Sequence, residues 1–457
     1  MPRLSRRALL IGSASLAATP AMGAIASSGY VDVVIVGAGA AGIAAARRLT
    51  AAGRRIAIVE AAERVGGRCI TDTRTFGMPY DRGAHWIHMP DINPVAKLAG
   101  AAGVEVYPAP PGQKLRIGRR FAREGEMEQF LSALVRSNRA IAEAGRGKTD
   151  MACARALPKE LGELRPAVEF VLGPFGCAKD LSDVSAYDFA RSAERDVDAF
   201  CRQGFGTLLA KLGDGLPIQL STAATTIYWS DRSNAQVETT KGWLRAAAVI
   251  VTVSTGVLTA GKIKFAPALP RRPLDAAGRL SLGSYDHIAL ELDGNPLGLQ
   301  SDELVFEKAT DNRTAAVLGN VFGTPLCLIE VAGRFGASLA AQGEAAMVDF
   351  AIDWLTDLYG PDVKRALRRR HATNWAKEPW TLGAFSAASV NSQPARKILM
   401  EPVGRLYFAG EAAHETLWGT VGGAWESGER AADAILKRFW APPSAAKPSR
   451  AGGRRKR

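Results

Sequence analysis

The sequence has few cysteines and none of the cysteine spacings that bind metals. Its 457 residues include five cysteines, with no C-x-x-C pair among them. They are Cys69, Cys153, Cys177, Cys201 and Cys327. Because the number is odd, at least one thiol stays outside a disulfide even in an oxidising compartment. We therefore predict no metal site, and we expect most of these thiols to be small buried side chains.

Long apolar runs and a strong charge excess are also missing. No segment reaches the roughly 18 uninterrupted apolar residues that suggest a membrane-spanning helix. The net charge of +13 is concentrated at the ends, because nine charges lie in the acid-free segments 1–26 and 441–457, which leaves +4 for the body. That balance does not match the basic surface of a nucleic-acid-binding protein. We predict a globular protein with no nucleic-acid partner and no stable membrane insertion of the mature chain.

The first 26 residues are typical of an export signal. Arg6 and Arg7 precede an apolar run from Ala8 to about Ala18, and the small residues Ala24-Ile25-Ala26 follow. This order resembles a twin-arginine signal with cleavage near Ala26. It implies contact with the export machinery and delivery of the folded protein to the periplasm or the medium. A retained anchor or a chance basic start is the alternative.

A glycine-rich turn lies between a buried strand and a helix. Val33 to Val36 predict the strand, and the helix runs to about Ala52. The G-x-G-x-x-G turn between them is formed by Gly37, Gly39 and Gly42. Such glycines allow a tight turn and close approach to a pyrophosphate, whose charge the helix N terminus favours. Glu60 ends the next strand, where a carboxylate accepts hydrogen bonds from an adenosine ribose. The pattern predicts a dinucleotide site of Rossmann type.

The rest of the chain alternates between helical and β patterns. Residues 114–212 are predicted to be mainly helical, with breaks at Pro158, Pro166 and Gly173-Pro174. Two-residue alternation and turn signals predict strands at Pro217 to Leu220, Thr226 to Trp229, Ala235 to Thr239 and Ala248 to Val253. Further predicted elements are strands at His287 to Leu292, from Leu326 and at Arg405 to Ala409, and a helix at Gly343 to Tyr359.

Three separated segments carry a resemblance to one enzyme family. They are GAHWIH at Gly83 to His88 followed by Asn93-Pro94, the stretch 251–270, and the stretch Leu406 to Ala432. In this order they resemble motifs of the flavin-dependent amine oxidases, the superfamily of monoamine oxidases, polyamine oxidases and histone demethylases. The likeness covers almost everything from Val31 to Arg438, and the first segment is most similar to polyamine oxidases.

The resemblance implies an α/β fold and an FAD cofactor. We expect a Rossmann-type FAD-binding domain assembled from discontinuous segments at residues 30–112, 205–284 and 386–440. A mixed α+β substrate domain with a helical insertion is expected at residues 113–204 and 285–385, and a disordered basic tail at residues 441–457. Some members bind flavin through a cysteine. Because Gly383-Ala384-Phe385 has none, we expect non-covalent FAD.

The expected FAD-binding residues come from all three stretches. They are Gly37, Gly39, Ala40, Ala41, Gly42, Glu60, Gly67, Arg68, Gly83, Ala84, Trp86, Ala224, Trp375, Gly410, Glu411, Thr420 and Val421. Arg68 follows two glycines, which lets its guanidinium approach a phosphate closely. Glu411 is expected on the ribitol or phosphate side. A helix beginning near Ala424 would direct its positive end at the flavin ring.

The expected catalytic residues lie on the substrate side of the flavin. They are His287, Trp375, Phe385, Thr420 and His88. The segment NWAKEPWTLGAFS resembles the family stretch that lines this face, and aromatic faces suit an amine. Trp380 in this segment fits the wall or the core equally well.

His287 occupies the position where the family carries a lysine that is directed, through water, at flavin N5. Histidine can hold a water and act as a base, with an ordinary pKa of about 6.5. It is usually neutral, which puts fast use of O2 in question. A strand position without a catalytic role is the alternative for His287.

We predict FAD-dependent oxidation of an amine C–N bond. Hydride passes from the carbon next to an uncharged nitrogen to flavin N5, and the imine hydrolyses to an aldehyde or ketone. The substrate is expected to be a polyamine or another small amine, and the oxidant O2 or a periplasmic electron acceptor. Three alternatives stay open: an amine dehydrogenase that uses a quinone or cytochrome, a flavin desaturase acting on a non-amine, and an FAD-binding protein without catalysis.

Overall fold

A computed structural model describes residues 28–193, 197–230 and 233–440. The predicted twin-arginine signal at residues 1–26 and the predicted basic tail at residues 441–457 lie outside the described residues. The chain forms two large β-sheets with helices packed around them, an α/β fold as predicted. Within the described residues, no helix is both long enough and apolar enough to span a bilayer.

The first large sheet has eight strands and carries the glycine-rich turn. Its central strand Ser28–Val36 pairs in parallel with Ile56–Val59 on one side and with Gly242–Val251 on the other. The other members are Ile218–Gln219, Ala235–Thr239, Ala224–Tyr228, Lys264–Ala266 and Leu406–Phe408. Because the central strand is buried on both faces, it reads as a nearly continuous apolar run.

Two helices cover one face of this sheet. Ala40–Ala51 follows the glycine-rich turn, and Val421–Trp440 packs against it. Their contact is made by small and branched apolar side chains, which share a core with the central strand. The arrangement brings the N-terminal ends of both helices toward the same region of the sheet edge, where Ala40 and Val421 line one cavity.

The second large sheet has seven strands. In spatial order they are Leu367–Ala372, Tyr285–Leu292, Leu326–Ala332, Ala316–Gly319, Glu303–Glu307, Lys114–Ile117 and Arg120–Phe121. A three-stranded sheet contains Ile87–His88, Asp198–Cys201 and Val106–Pro108, and a two-stranded one pairs Thr71–Asp72 with Tyr80–Asp81. The predicted division into two domains at particular residues stays a prediction.

The remaining helices surround the sheets. The α-helices are Pro94–Ala99, Glu124–Ala144, Cys153–Ala156, Arg165–Phe170, Ala186–Phe189, Phe205–Leu212, Thr255–Thr259, Arg271–Arg279, Gly333–Gln342, Glu344–Tyr359, Asp362–Ala366 and Ala395–Met400. Short 3₁₀ turns occupy Lys159–Leu164, Leu181–Asp183, Val321–Gly323 and Glu411–Ala413, and a π-helical turn occupies Val171–Phe175.

Several elements match their predictions closely. The strand Ala235–Thr239 has the predicted bounds, and the helix Glu344–Tyr359 begins one residue later than predicted. The strand predicted at Ala248 is longer and begins at Gly242. All five cysteines are buried, and none forms a disulfide.

The prediction of a mainly helical region at residues 114–212 misses three strands, although its last residues, Phe205–Leu212, are helical as predicted. Residues 114–117 and 120–121 form strands of the second sheet, and Asp198–Cys201 forms the middle of the three-stranded sheet. Pro166 does not break a helix. It lies in the first turn of Arg165–Phe170, where the missing N–H has no intrahelical partner to lose.

A buried ion pair joins the helix Ala186–Phe189 to the helix Ala395–Met400. The Nε and Nη2 atoms of Arg396 each donate to a carboxylate oxygen of Asp188 at 2.7 Å. Both side chains are almost fully buried, and the guanidinium lies 4.7 Å from the ring centroid of Trp418. Arg396 also donates to the carbonyl of Ala412. The pair therefore fixes three separate segments relative to one another.

Replacement of Asp188 by asparagine should destabilise the protein by about 3–5 kcal/mol, because it leaves the Arg396 guanidinium buried without its counter-charge. Urea unfolding measures the change. The control is Asp433→Asn, which breaks the exposed pair with Arg48 and should leave the midpoint unchanged. Equal urea midpoints for the two variants would show that the buried ion pair contributes no more to stability than the exposed one.

Candidate active site

One cavity of about 1650 Å³ contains nearly all the predicted site residues. Every predicted cofactor-binding and catalytic residue lines it except Gly42. Its wall includes residues from both large sheets, such as Gly37 after the first strand and His287 on the second sheet. The structure thus brings together residues that lie hundreds of positions apart in the sequence.

Gly42 contributes from beneath the wall. A Cβ atom there would lie 2.0 Å from the carbonyl oxygen of Gly37, so only glycine lets the helix pack against the turn. Gly37 itself has φ +110°, and a Cβ would lie 2.4 Å from the Thr252 hydroxyl. These contacts hold the first turn of the helix Ala40–Ala51 open to the cavity, as a phosphate site requires.

A second glycine loop lies directly beside the first. Gly39 and Gly66 form a parallel bridge, and the amide of Gly66 donates to the carbonyl of Ala38 at 2.9 Å. Gly66 and Gly67 both have positive φ, and a Cβ on Gly67 would lie 3.4 Å from the Cα of Gly39. Side chains are therefore absent from this part of the wall, which leaves room for a diphosphate against bare backbone.

Glu60 lies at the end of its strand, in the wall of the cavity. One carboxylate oxygen accepts from the amide of Ala38 at 2.7 Å, and the other accepts from the amide of Ala62 at 2.8 Å. Each oxygen keeps a further acceptor position. The carboxylate is therefore held rigidly and can still accept hydrogen bonds from a ribose.

Arg68 and Glu411 form an ion pair in the wall, with 2.9 Å between Nη1 and Oε1. Glu411 also accepts from the hydroxyl of Ser386 at 2.7 Å and from the amide of Gly419 at 2.9 Å. Burial alone would raise the pKa of Glu411, but the charge of Arg68 and its other partners outweigh it and lower the pKa. The carboxylate positions Arg68, and its predicted contact with the cofactor stays a prediction.

The helix Val421–Trp440 begins three residues before the predicted position near Ala424. Thr420 caps it, because its hydroxyl accepts from the amide of Gly423 at 2.9 Å and donates to the carbonyl of Leu417 at 2.7 Å. The first turn of the helix lines the cavity. Its free amides and positive dipole end face that space, which favours negative charge there.

Aromatic rings form another part of the wall. Trp375 is 5% exposed, and its indole nitrogen donates to the carbonyl of Arg82 at 3.1 Å. The rings of Phe385 and Tyr285 lie 5.9 Å apart. Trp380 also lines the cavity and is 43% exposed, so it is not a core residue. Gly419 makes room for this wall, since a Cβ there would lie 2.9 Å from Phe385.

His88 lies in the wall next to an acid that the sequence analysis missed. Its Nδ1 lies 2.6 Å from the carboxylate of Asp198, and each side chain is about one quarter exposed. The two residues face each other across the antiparallel strands Ile87–His88 and Asp198–Cys201. No local pattern predicts this pairing, because it depends on the register of a small sheet whose strands are 110 residues apart.

His287 is buried in the wall with a defined tautomer. Its Nδ1 lies 3.0 Å from the carbonyl oxygen of Asp81, and its amide donates to the hydroxyl of Thr373 at 3.0 Å. A carbonyl only accepts, so Nδ1 carries the hydrogen and Nε2 keeps its lone pair. Burial lowers the pKa of His287 to about 4. The side chain is neutral at neutral pH, unlike a lysine at the same position.

Other residues of this region were also missed. Tyr285 and Thr252 line the cavity, and Glu330 lies behind His287 and Trp86. A signal for Glu330 is present in the sequence, because it is the one acid in the buried apolar strand Leu326–Ala332. Within the described residues, no cluster of histidine, cysteine and acidic side chains is suited to a metal ion.

Comparisons with known proteins agree with this geometry. The model of the family described as flavin containing amine oxidoreductase matches residues 40–165 and 158–436. Polyamine oxidase 4 of Oryza sativa subsp. japonica is 27% identical over 444 residues, covering 89% of each chain. Lysine-specific histone demethylase 1B of Mus musculus is 28% identical over 88% of this chain, which spans 52% of the length of that relative.

The fold is shared with solved structures. Wild-type putrescine oxidase bound to putrescine superposes with a TM-score of 0.76, at 20% identity, over 90% of this chain and all of that one. The two bare glycine loops, the Glu60 carboxylate in the cavity wall and the capped helix N terminus are chemically suited to the diphosphate and ribose of FAD. The chain therefore belongs to the flavin containing amine oxidoreductase family and is an FAD-dependent amine oxidoreductase.

Proposed function

We propose that the enzyme oxidises a small amine, with polyamines favoured, at the carbon next to nitrogen. The observation that carries the proposal is that the glycine loops line the same cavity as Trp375, Phe385 and His287. Bound FAD would supply the acceptor for the hydride that leaves this carbon. The imine product then hydrolyses to an aldehyde or ketone.

The residues around the cavity would hold the cofactor without a covalent bond. The loops at Gly37 and Gly67 offer backbone amides to the diphosphate, and Glu60 offers its carboxylate to the ribose. Arg68, oriented by Glu411, adds a positive charge, and the N-terminal end of the helix Val421–Trp440 faces the same space. These groups bind and orient, and they carry out no bond-making step.

The aromatic wall and His287 would prepare the amine. Trp375, Phe385 and Tyr285 exclude water and present π-faces that attract an ammonium group. Because its Nδ1 is held by the Asp81 carbonyl, His287 presents an unprotonated Nε2. That nitrogen can accept a hydrogen bond or a proton from the ammonium and leave the nitrogen lone pair free for the reaction.

Asp198 supports the choice of a polyamine. Its carboxylate lies in the same cavity as His287 and is partly exposed, so it can accept hydrogen bonds from a second ammonium. Polyamine oxidase and putrescine oxidase, named among the similar proteins, act on amines of this kind according to their names. A substrate with two separated ammonium groups would place one of them at Asp198 and the other at His287.

We also propose that the enzyme works outside the cytoplasm and that its oxidant is O2 or a periplasmic electron carrier. The paired Arg6 and Arg7 before an apolar run support export after folding, which lets the chain acquire FAD first. The neutral state of His287 favours the periplasmic electron carrier over O2, because no fixed positive charge replaces that of the family lysine. An amine dehydrogenase is therefore the second candidate.

Anaerobic mixing with a panel of polyamines, monoamines and cyclic amines tests the proposal. At least one amine should bleach the flavin absorbance, and diamines or polyamines should do so at the lowest concentrations. Non-amine alcohols and saturated acids serve as controls. Bleaching by a non-amine alone would contradict amine oxidation and favour the desaturase alternative. No bleaching by any compound would favour an FAD-binding protein without catalysis.

Replacement of Asp198 by asparagine should raise KM about tenfold or more for a diamine and leave KM for a monoamine nearly unchanged. The expected increase follows from the loss of one charge-assisted hydrogen bond, which contributes about 1.5–3 kcal/mol to the binding of the diamine. Steady-state kinetics with both substrates measure it. The control is Asp293→Asn, which removes a negative charge from an exposed pair with Arg368. Equal increases for both substrates would argue against a second-ammonium site.

Replacement of His287 by lysine tests the account of the oxidant. The new ammonium group should raise the rate at which O2 re-oxidises the reduced enzyme, measured by stopped-flow absorbance. His371→Lys, at a position that does not line the cavity, is the control and should leave this rate unchanged. FAD content and the unfolding midpoint show whether each variant folds. A folded His287→Lys variant with an unchanged O2 rate would disprove the role of charge at this position.

A further inference from the structure

Glu330 lies directly opposite His287 on neighbouring strands. His287 is on Tyr285–Leu292 and Glu330 is on Leu326–Ala332, and the antiparallel register pairs the two residues. Side chains at such a pair point to the same face of the sheet. The Glu330 side chain is fully buried there, in a strand whose other residues are apolar. A lone acid in this place needs a reason beyond packing.

The two side chains are close enough to interact by charge and too far apart for a hydrogen bond. His287 Nε2 lies 3.7 Å from Glu330 Oε1. The same oxygen accepts from the indole nitrogen of Trp86 at 3.3 Å, which holds the carboxyl in place. Because Glu330 does not occupy the Nε2 lone pair, that lone pair stays available on the side of the cavity, which His287 lines.

The surroundings leave Glu330 without a permanent counter-charge. Among the described residues, no lysine or arginine forms an ion pair with it. From the neighbouring segment, His85 adds an imidazole that is held by the Asp81 carboxylate at 3.1 Å. The strand of His287 itself adds the acids Asp286 and Glu291 and the phenol of Tyr285, whose hydroxyl interacts with the Glu330 carboxyl. Burial raises the pKa of Glu330 to about 7 and that of Asp286 to about 6.

We propose that Glu330 is a positioning residue whose carboxylate balances the positive charge that His287 gains when it takes a proton from the substrate ammonium. The inference rests on the proposed amine oxidation and names the group that makes His287 a competent base. In this step an N–H bond of the ammonium breaks and an Nε2–H bond forms on His287. The electron pair of the broken bond stays on nitrogen as the lone pair.

The charge count explains why both residues are needed. Alone, a buried imidazole becomes a poor base, because its charged form is unfavourable in the apolar wall. With ionised Glu330 beside it, the protonated pair is neutral, so proton uptake creates no net buried charge. A pair coupled in this way titrates as a unit, with apparent pKa values that belong to both groups. Below neutral pH the carboxyl is protonated and His287 loses its support.

A histidine-resolved NMR titration tests this coupling in the FAD-loaded enzyme. The chain has five histidines, so the signal of His287 can be assigned with one His287→Gln sample. In the wild type, its ring carbons should shift with an inflection near neutral pH. In Glu330→Gln, which keeps an acceptor for Trp86, that inflection should disappear. The same inflection in both proteins, or none in the wild type, would overturn the proposal.

Reduction kinetics provide the second readout. Under anaerobic conditions, Glu330→Gln should slow flavin reduction by a good amine at least tenfold at pH 8 and flatten its rise between pH 6 and 8. Glu330→Asp retains a carboxylate and should recover part of the reduction rate at pH 8 and part of its rise with pH. An unchanged pH profile in a folded Glu330→Gln variant would also overturn the proposal.

Glu307→Gln is the matched control. Glu307 accepts from the Trp354 indole at 2.7 Å in the same sheet but does not line the cavity, and its replacement should change neither readout. The two proposals can fail separately. If no amine reduces the flavin but the His287 inflection depends on Glu330, amine oxidation fails and the charge coupling stands.

Discussion

The carboxylate of Glu411 accepts hydrogen bonds from three segments that lie far apart in the sequence. Arg68 belongs to the second glycine loop, Ser386 follows the aromatic segment, and Gly419 precedes the last helix. Each of these segments supplies residues to the cavity wall. Since a buried carboxylate is stable only when such partners surround it, the ion pair and the assembled wall depend on each other. The positive charge of Arg396 also lowers the pKa of Glu411.

The parts of this site that follow from local sequence were predictable. The turn at Gly37, the position of Glu60 and the strand Ala235–Thr239 depend on spacing and alternation within a few residues. The exposure of Trp380 and the capping of the last helix by Thr420 could not be predicted from local spacing. Each depends on which residues pack against that side chain. The family resemblance supplied the candidate residues, and the structure supplied their partners.

Pairings between distant strands were the main limit of the sequence analysis. The sequence predicts a helix at Lys114–Ile117, yet this segment pairs with a strand that begins at Glu303, almost 200 residues later. The pairs His88 with Asp198 and His287 with Glu330 have the same origin, since strand register decides which side chains meet. A pattern of apolar residues specifies which face of a strand is buried, but it does not specify the neighbouring strand.

The two large sheets contribute differently to the cavity. The first sheet ends in the bare glycine turn and Glu60, whereas the second carries Tyr285 and His287. Substitutions in the second sheet can therefore alter one side of the cavity while the glycine loops on the other stay intact. During evolution, an enzyme of this fold can therefore keep its cofactor while residues of the second sheet change. His287 and its cross-strand neighbour Glu330 both belong to the second sheet, so the two positions can change together without disturbing the glycine loops of the first.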